Sequence, residues 1–474
     1  MDGRRGSAGE RYADQRNPSS RRMRLLVLVL VPVYLAFVIA AASAVHSVLK
    51  RNAPTGQPSA VPSQGHAAAP ADPGLIVINK TRANKHRPPL ASSSAAARLA
   101  LTHSLTMARK GRVFQDSCVE CMNWRMMWGN VEENVGSGSS VQAAYQDLMH
   151  GRTPWANVQC QCVTQGGTAV ARSGGRVWVT AIFFRPGTGM LFGARAEPRA
   201  TDPVVTGDPD KDALLHLESE IGRKVAIDHI YVHFGTPLPY PRFAWDRANG
   251  RVPFVDWDLS QPADDWSQIA AGKADSIIDA TARAAKAYGH PILLSFDHEP
   301  LYGTYVPGKP AQFVAAWRHV VDRFRAFGDT NVFWVLILTA STYQGGVADL
   351  YYPGRSYVNF LGTDGYNWRW AHHQARWRSF ADIFTTFYYY ALEKRLPAMI
   401  TEAGTLEDPT APGRKAAWFR GAEAWLHTHP NIKAFIYFNT TVRWPWWIDT
   451  SPQSLAAFRA LANDPLFRNP MSNP

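Results

Sequence analysis

Cysteine is scarce in this sequence: there are four among 474 residues, and all of them lie between positions 118 and 162. The rest of the chain therefore has no thiol for a disulfide, a zinc site or redox chemistry. The four form two short motifs, Cys118-x-x-Cys121 and Cys160-x-Cys162. In an oxidising compartment they favour two disulfides, which we expect to join one motif to the other. Four zinc-bound thiolates and redox-active thiols are the alternatives, although a C-x-C half is unusual for zinc.

Acidic residues are outnumbered, 38 against 50 Lys and Arg, for a net charge of +12. Residues 1–24 carry much of the excess, which predicts a basic cytoplasmic tail, since the next 21 residues have no charge and suffice to cross a bilayer. We therefore expect a single-pass transmembrane signal-anchor at 25–45 in the cell membrane. A cleaved signal peptide, giving a secreted protein, is the alternative, because Ala42-Ser43-Ala44 resembles a cleavage site. Either way the working part is extracytoplasmic, which argues against a nucleic-acid partner.

Large apolar residues are almost absent from residues 46–74, where Pro, Ala, Gly and Ser dominate. Such composition is typical of an extended linker. Residues 75–186 contain a predicted helix, "SSAAARLALTHSLTMARKG", and all four cysteines. We interpret them as an accessory region, whose function the sequence does not indicate.

Residues 187–470 alternate strand-like apolar runs with amphipathic helices, of which "WSQIAAGKADSIIDATARAAKAYG" predicts one long helix over 266–289. The runs are near-continuously apolar, as buried parallel strands are. There are eight, and eight β/α units in about 280 residues match the size of a (β/α)8 TIM barrel. Between the fifth and sixth runs we expect a loop, "TYQGGVADLYYPG", in place of a helix. The runs are "MLFGA", "HIYVHFG", "VPFVDWDLS", "PILLSFDHE", "NVFWVLILTAS", "YVNFLGTDGYN", "PAMITEAGT" and "IKAFIYFNT".

A doubly wound open sheet is the main alternative α/β architecture. The sequence lacks the glycine-rich phosphate loop that often follows the first strand of such a sheet. The count of eight units also fits a closed barrel. We therefore predict that this part of the chain is a (β/α)8 barrel.

The active site of such a barrel lies at the carboxyl ends of its strands. Two glutamates follow strand-like runs there: Glu299 after the fourth and Glu402 in the seventh. A pair of carboxylates across a rim rich in Trp and Tyr suits glycoside hydrolysis, in which one carboxylate attacks and the other protonates the leaving oxygen. The same reasoning indicates further strand-end candidates: Asp297, His298, Asp364, Tyr366, Asn367, Thr401, Asn439 and Thr440.

Four stretches resemble glycoside hydrolase family 26, the family of β-mannanases, within the large retaining (β/α)8 clan: "FDHEP", "YYPGRSYVNFLGTDGYN", "PAMITEAG" and "WWIDTSPQSLAAFRALANDPLF". The resemblance implies a retaining endo-β-glycosidase, mannan-type, that needs no cofactor. It implies that Glu299 is the general acid/base and Glu402 the nucleophile. It also implies that His298 places the sugar and that Tyr366 hydrogen-bonds the nucleophile. The chain departs from the family pattern at Ser295, where Arg is common, and at Leu301-Tyr302, where Asn-Gly is common.

Tryptophans in the loops after the strands are candidates for stacking on sugar rings. We expect Asn367, Trp368, Asn439, Trp444 and Trp446 to bind substrate, with Trp370 and Trp447 as further candidates. Phe192, Arg195, Trp257 and Asp258 either line neighbouring subsites or belong to the core. We expect no metal at His372-His373, because adjacent loop histidines do not readily share one ion. Two other functions remain open: a non-catalytic carbohydrate-binding barrel, and a transglycosylase of cell-surface glycan.

Overall fold

A mixed four-stranded sheet and a closed parallel barrel organise the described part of the chain. The computed structural model describes residues 72–116, 121, 124, 130–187, 189–259, 265–301, 308–328, 331–368, 376–442 and 444–467. Within these residues, no helix has the length and apolar character needed to cross a bilayer. The predicted basic tail and anchor, and nearly all of the linker, lie outside the described residues.

The accessory region is an α/β/α sandwich. Its sheet has the order β1-β3-β4-β2, in which β3 and β2 run antiparallel to β4 and β1 runs parallel to β3. Alternate residues of β4 face opposite helix layers: Val179 and Phe183 pack with α1 and α3, whereas Ile182 and Phe184 pack with α2. The strands are β1 Ala91–Ser92, β2 Asn130–Gly138, β3 Gln165–Ser173 and β4 Arg176–Arg185, and the helices are α1 Pro73–Ala83, α2 Ser94–Lys110, α3 Val141–Met149 and α4 Arg152–Gln159.

The predicted helix in this region is confirmed as α2. Ser93 caps its start, its hydroxyl oxygen accepting a hydrogen bond from the Ala96 amide, and Gly111 ends it with φ 64°. Ser at the N-cap and glycine in the left-handed region after the last turn are the usual helix end signals.

The cysteines form disulfides, as predicted, but the expected pairing between the two motifs is wrong. Cys160 is bonded to Cys162. The turn after α4 brings their Cα atoms to 5.2 Å, within the range that a disulfide spans. Cys121 is also disulfide-bonded, and Cys118 lies outside the described residues. Because the three described cysteines are all oxidised, the zinc and free-thiol alternatives are wrong for them as well.

The predicted (β/α)8 barrel is confirmed. Strands β5 to β12 are all parallel and follow one another around the barrel, which closes where β12 pairs with β5. Each strand begins and ends within about three residues of the apolar run that predicted it. The strands are β5 Leu191–Ala196, β6 Ile227–His233, β7 Val252–Asp258, β8 Ile292–Phe296, β9 Val332–Thr339, β10 Phe360–Asn367, β11 Ala398–Thr405 and β12 Ile432–Asn439.

The helices around the barrel differ from the sequence prediction at two places and agree with it at a third. A single helix expected over 266–289 is two helices, because Gly272 takes φ +81° between them. A helix that the proline-rich stretch at 237–241 concealed, Tyr240–Ala248, precedes β7. Between β9 and β10 there is a single-turn helix and two 3-10 turns, Ala348–Tyr351 and Arg355–Tyr357, consistent with the expected loop. The helices are α5 Pro209–Ile221, α6 Tyr240–Ala248, α7 Trp266–Ala270, α8 Asp275–Tyr288, α9 Pro310–Ala326, α10 Ala340–Gln344, α11 Phe380–Lys394, α12 Arg414–His427 and α13 Pro452–Ala462.

The cysteine-containing region contributes the floor of the barrel. Trp124 and Cys121 are both 2% exposed and belong to one apolar cluster with inward-facing residues at the amino ends of the strands. The Trp124 ring centroid lies 5.8 Å from that of Phe333 and 6.3 Å from that of Phe360. The barrel is therefore closed from below by a side chain that belongs to the accessory region.

Replacing Trp124 by alanine should destabilise the barrel. The change opens a large dry cavity in the floor, and such truncations typically cost about 3 to 5 kcal/mol of unfolding free energy. Chemical denaturation of the full chain, followed by near-ultraviolet circular dichroism, measures the loss. Trp155→Ala is the matched control, because Trp155 in α4 is 40% exposed. Equal effects of the two substitutions would contradict the floor assignment.

Candidate active site

The end of β8 is strained at the acidic residues that follow it. Asp297 has φ 55° and Glu299 has φ 47°, both in the left-handed region that residues other than glycine rarely adopt. Backbone hydrogen bonds hold this conformation, since the Asp297 amide donates to Trp257 and the Glu299 amide to Ile337. Strain of this kind costs of the order of 1–3 kcal/mol per residue and clusters at functional sites.

Glu402, in β11, is held from both sides by tyrosine hydroxyls. Tyr231, in β6, donates to its Oε1 atom, and Tyr366, in β10, donates to its Oε2 atom. Burial, and then the charge of Glu402, raise the pKa of both tyrosines well above the usual value. Both hydroxyls thus stay protonated and act as donors, so the site is built for an ionised Glu402 with a fixed orientation.

Glu299 is half-buried at the same end of the barrel. Its pKa is raised to about 7, first by burial and then by the charges of Glu402, Asp256 and Asp258, while the cation of His298 works in the opposite direction. A carboxyl group with this pKa is partly protonated at neutral pH and can donate a proton. The environments of the two glutamates thus differ in the way that an acid and a nucleophile require.

His298 precedes Glu299 in the chain, has a ring nitrogen within 4.8 Å of a Glu402 carboxylate oxygen, and is fixed by Asp258. Its Nδ1 atom is 2.7 Å from Asp258 Oδ1, and its backbone amide donates to the same oxygen at 3.1 Å. Burial works to lower the pKa of His298, but the carboxylates of Asp258 and of Asp256, which is 3.8 Å away, outweigh it and raise the pKa well above the usual value. His298 is therefore a cation beside Glu299 at neutral pH.

Buried polar side chains underlie Glu402. His229 Nε2 lies 2.8 Å from Asp256 Oδ2, with both side chains fully buried. Asp364 accepts a hydrogen bond from Thr401 at 2.6 Å, and burial followed by the charge of Glu402 raises its pKa well above the usual value. A neutral Asp364 next to Glu402 avoids placing a second charge in the interior.

Two groups in this cluster have the ligand types and spacing of a metal site. Facing atoms of His229, Asp256 and Glu402 lie within 4.8 Å of one another, and so do those of His298, Asp364 and Glu402. Protons compete with a metal for such ligands. The cationic His298, the neutral Asp364 and the two tyrosine O–H groups on Glu402 all favour the protonated arrangement over a coordinated ion.

The sequence analysis did not identify three members of this site: His229, Tyr231 and Asp256. A usable signal exists in "HIY", where the polar side chains of His229 and Tyr231 lie on either side of the apolar Ile230. In a barrel strand, alternate residues face the interior. Polar side chains at those positions need buried partners, which would have marked the β6 strand as part of the site.

Asn367 and Asn439 are buried, and protein groups occupy their side chains. Asn367 donates to Thr405 at 3.0 Å and accepts from the Arg378 amide at 3.0 Å. Asn439 accepts from the Ile448 amide at 2.9 Å. In this structure both amides fasten loops at the rim.

The predicted tryptophans surround Tyr366. Trp446 is 1% exposed, and its ring centroid lies 5.0 Å from those of Tyr366 and Trp368. Trp368 and Trp444 are half-buried and pack in the same cluster, together with Tyr231. Trp368 and Trp444 therefore present surface at the rim, whereas Trp446 supports the tyrosine from behind. Trp370, His372, His373 and Arg443 lie outside the described residues.

Of the four residues that were expected either to line subsites or to belong to the core, two lie in the core and two lie at the site. Phe192 and Trp257 are fully buried in the main apolar core, so they do not line subsites. Arg195 and Asp258 lie at the site: the Arg195 guanidinium is 5.4 Å from the ring centre of Tyr231, and Asp258 fixes His298.

Comparison with known proteins gives separate matches for the two parts. The model of the CAP family (cysteine-rich secretory protein family) matches residues 75–183, the sandwich region. A stretch of 272 residues is 31% identical to endoglucanase H of Acetivibrio thermocellus, covering 53% of this chain and 29% of that protein. The chain thus spans less than a third of that relative's length.

Solved structures of glycoside hydrolase family 26 are also among the matches. An endo-β-1,4-mannanase double mutant from Cellulomonas fimi is 16% identical, with a TM-score of 0.46 over 60% of this chain and 74% of that one. A family 26 β-mannanase from Bacteroides ovatus is 15% identical, with a TM-score of 0.45 over 59% and 90%.

Proposed function

We propose that the barrel is a glycoside hydrolase that cleaves a β-linked polysaccharide with retention of anomeric configuration. The observation that carries the proposal is the contrast between two glutamates at one end of the barrel. Glu402 is gripped by two tyrosine O–H groups that favour its ionised form, whereas the pKa of Glu299 is raised to about 7. In such a pair, the glutamate held in its ionised form acts as the nucleophile, and the glutamate with the raised pKa acts as the acid.

In the first step, a carboxylate oxygen of Glu402 forms a bond to the anomeric carbon while the bond to the leaving oxygen breaks. The carboxyl proton of Glu299 passes to that leaving oxygen, which departs as an alcohol. Tyr231 and Tyr366 keep the attacking carboxylate oriented through their hydrogen bonds to its two oxygens. The product is a glycosyl ester of Glu402 and an ionised Glu299.

In the second step, Glu299 acts as a base. It takes a proton from water, the water oxygen bonds to the anomeric carbon, and the ester bond to Glu402 breaks. The ion pair between Asp258 and His298 stays intact when the first sugar leaves. The cation of His298 therefore remains beside Glu299. Both carboxyl groups return to their starting protonation states, and the anomeric configuration is retained because it has been inverted twice.

A mannan-type endo-acting specificity is the favoured substrate class. The sequence resemblance to family 26 supports the mannan type, and the sequence similarity to endoglucanase H supports an endo-acting glycanase. The two departures from the family pattern bear on this choice. Ser295 is fully buried and its hydroxyl has no partner in the described chain, and Leu301 packs against the core. We therefore expect the contacts to the sugar at these two positions to differ from those of the family.

An extracytoplasmic, membrane-anchored position is the second part of the proposal. It is supported by the uncharged 21-residue run at 25–45 with its preceding arginines, and by the disulfide-bonded state of all described cysteines. A glycosidase so placed meets polysaccharide outside the cell.

Incubation of residues 69–474 with a polysaccharide panel tests the activity. We expect new reducing ends from a β-1,4-linked mannan or glucan and none from α-linked glucans. The anomeric form of the first product, followed by proton NMR, should be β. An initial α product would contradict retention, and tight glycan binding with no product would favour the non-catalytic alternative.

A further inference from the structure

Lys415 is a lysine with no exposed surface, in the first turn of α12. A buried ammonium group is costly unless it is hydrogen-bonded or paired. Its Nζ atom donates to the Trp447 carbonyl at 2.7 Å and to the Thr450 hydroxyl at 3.0 Å. Both acceptors belong to residues 440–451, the segment after β12 that we call the tryptophan loop because it contains Trp444, Trp446 and Trp447.

Glu407 fixes the same loop from its far end. Its Oε1 atom accepts hydrogen bonds from the hydroxyls of Thr450, Ser451 and Ser454, at 3.0, 2.8 and 2.6 Å. Burial works to raise the pKa of Glu407, but these hydroxyl groups and the nearby charge of Lys415 outweigh it, and the pKa is lowered. An ionised carboxylate therefore lies near the buried lysine, and Thr450 is hydrogen-bonded to both groups. Burial lowers the pKa of Lys415 to about 7, while the charges of Glu407 and Asp449 work in the opposite direction.

Arg199 joins the tryptophan loop, which follows β12, to the segment after β5, the strand that pairs with β12. It lies after β5, and its guanidinium donates to both carboxylate oxygens of Asp449, at 2.7 and 3.0 Å. The same guanidinium stands over the ring of Trp447, 3.8 Å from its centre. A bidentate ion pair combined with a cation–π contact fixes both the backbone direction and the ring plane.

The loop reaches the catalytic pair through Trp446. The Tyr437 hydroxyl donates to the Trp446 carbonyl at 2.7 Å, and the Trp446 ring packs against Tyr366. Tyr366 in turn donates to Glu402. On either side of Trp446, Trp444 and Trp447 are half-buried at the carboxyl end of the barrel. The anchoring groups thus hold the backbone of the loop, while Trp444 and Trp446 pack in the cluster that contains Tyr231 and Tyr366.

We propose that the tryptophan loop binds the sugar rings beyond the scissile bond, and that Lys415, Glu407 and Arg199 are positioning residues that hold it for this purpose. The inference rests on the proposed glycosidase function and deepens it. A tryptophan surface held in place by hydrogen bonds and an ion pair suits a long, neutral glycan chain, because each extra sugar ring adds apolar contact without a new ion pair. The enzyme should then prefer longer oligosaccharides.

Lys415→Met, which keeps the length of the side chain and removes its donors, tests the inference in the full chain. The substrates are the hexasaccharide and trisaccharide of whichever glycan yields reducing ends with the unaltered protein. We expect kcat/KM for the hexasaccharide to fall about tenfold, mainly through KM, and kcat/KM for the trisaccharide to change less than threefold. Lys433→Met is the matched control, because Lys433 lies at the amino end of β12, donates to the Pro430 carbonyl, and should leave both values unchanged.

Glu407→Gln and Thr450→Val provide two milder changes in case the methionine variant fails to fold, and both should show the same split between long and short substrates. An equal loss on the two substrates, or no loss in any of these variants, overturns the positioning role. Failure of the unaltered protein to cleave any glycan overturns the glycosidase function itself. The two failures are therefore distinguishable.

Discussion

Glu402→Gln should lower kcat by at least about 10⁴-fold, because the amide cannot form the glycosyl ester through which the proposed reaction passes. The fold should be preserved, since glutamine has the same shape and its carbonyl oxygen still accepts a hydrogen bond from one of the two tyrosines that surround it. Reducing-end assays on the susceptible glycan, with circular dichroism to confirm the fold, measure both properties. A 2-fluoro glycoside with a good leaving group should label Glu402 in the unaltered protein, and peptide mass spectrometry locates the label.

Glu393→Gln is the control for this substitution. Glu393 lies in α11 with most of its side chain in solvent, so its loss should change neither activity nor stability. A label on any residue other than Glu402, or full activity in Glu402→Gln, would contradict the assignment of Glu402 as the nucleophile.

Glu299→Ala should lower kcat/KM on polysaccharide by about 10²–10⁴-fold, the usual contribution of a positioned acid. The loss should be much smaller on a dinitrophenyl glycoside, whose leaving group departs without protonation. With that substrate, hydrolysis of the ester becomes slow because the base is missing, and added azide should restore turnover. Steady-state kinetics with and without azide distinguishes this pattern from general damage to the site.

The pH profile of the unaltered protein gives an independent view of Glu299. Its pKa is raised to about 7 by burial and by neighbouring carboxylates. The protonated form is the active one, so kcat/KM should fall tenfold per pH unit as pH rises above about 7. The alkaline limb should disappear in Glu299→Ala. A limb that persists unchanged would assign the titration to another group, and His298, whose pKa is also raised, is the first to examine by His298→Gln.

Much of the barrel could be predicted because each of its strands is buried on both faces and so reads as a continuous apolar run. The ends of those runs fixed the positions of Glu299 and Glu402, and the strand count fixed the closure. The structure corrected what depends on local backbone detail, as at Gly272, where one predicted helix is two. Helix α6 was missed because its prolines at 237, 239 and 241 resemble a loop, although proline is well tolerated in a first helical turn.

The sequence by itself predicted the fold class and placed Glu299 and Glu402 at the ends of two strands, because periodicity and strand ends are local properties of the chain. The extracytoplasmic position likewise stays a prediction from the charge distribution. The tertiary structure alone decided what surrounds those glutamates. Tyr231 lies 171 residues before Glu402, and Trp124 closes a barrel whose first strand begins at Leu191. Cys160 pairs with Cys162 and not with a cysteine of the distant motif. The pattern of the chain does not encode distances in space, and these distances decide which groups meet.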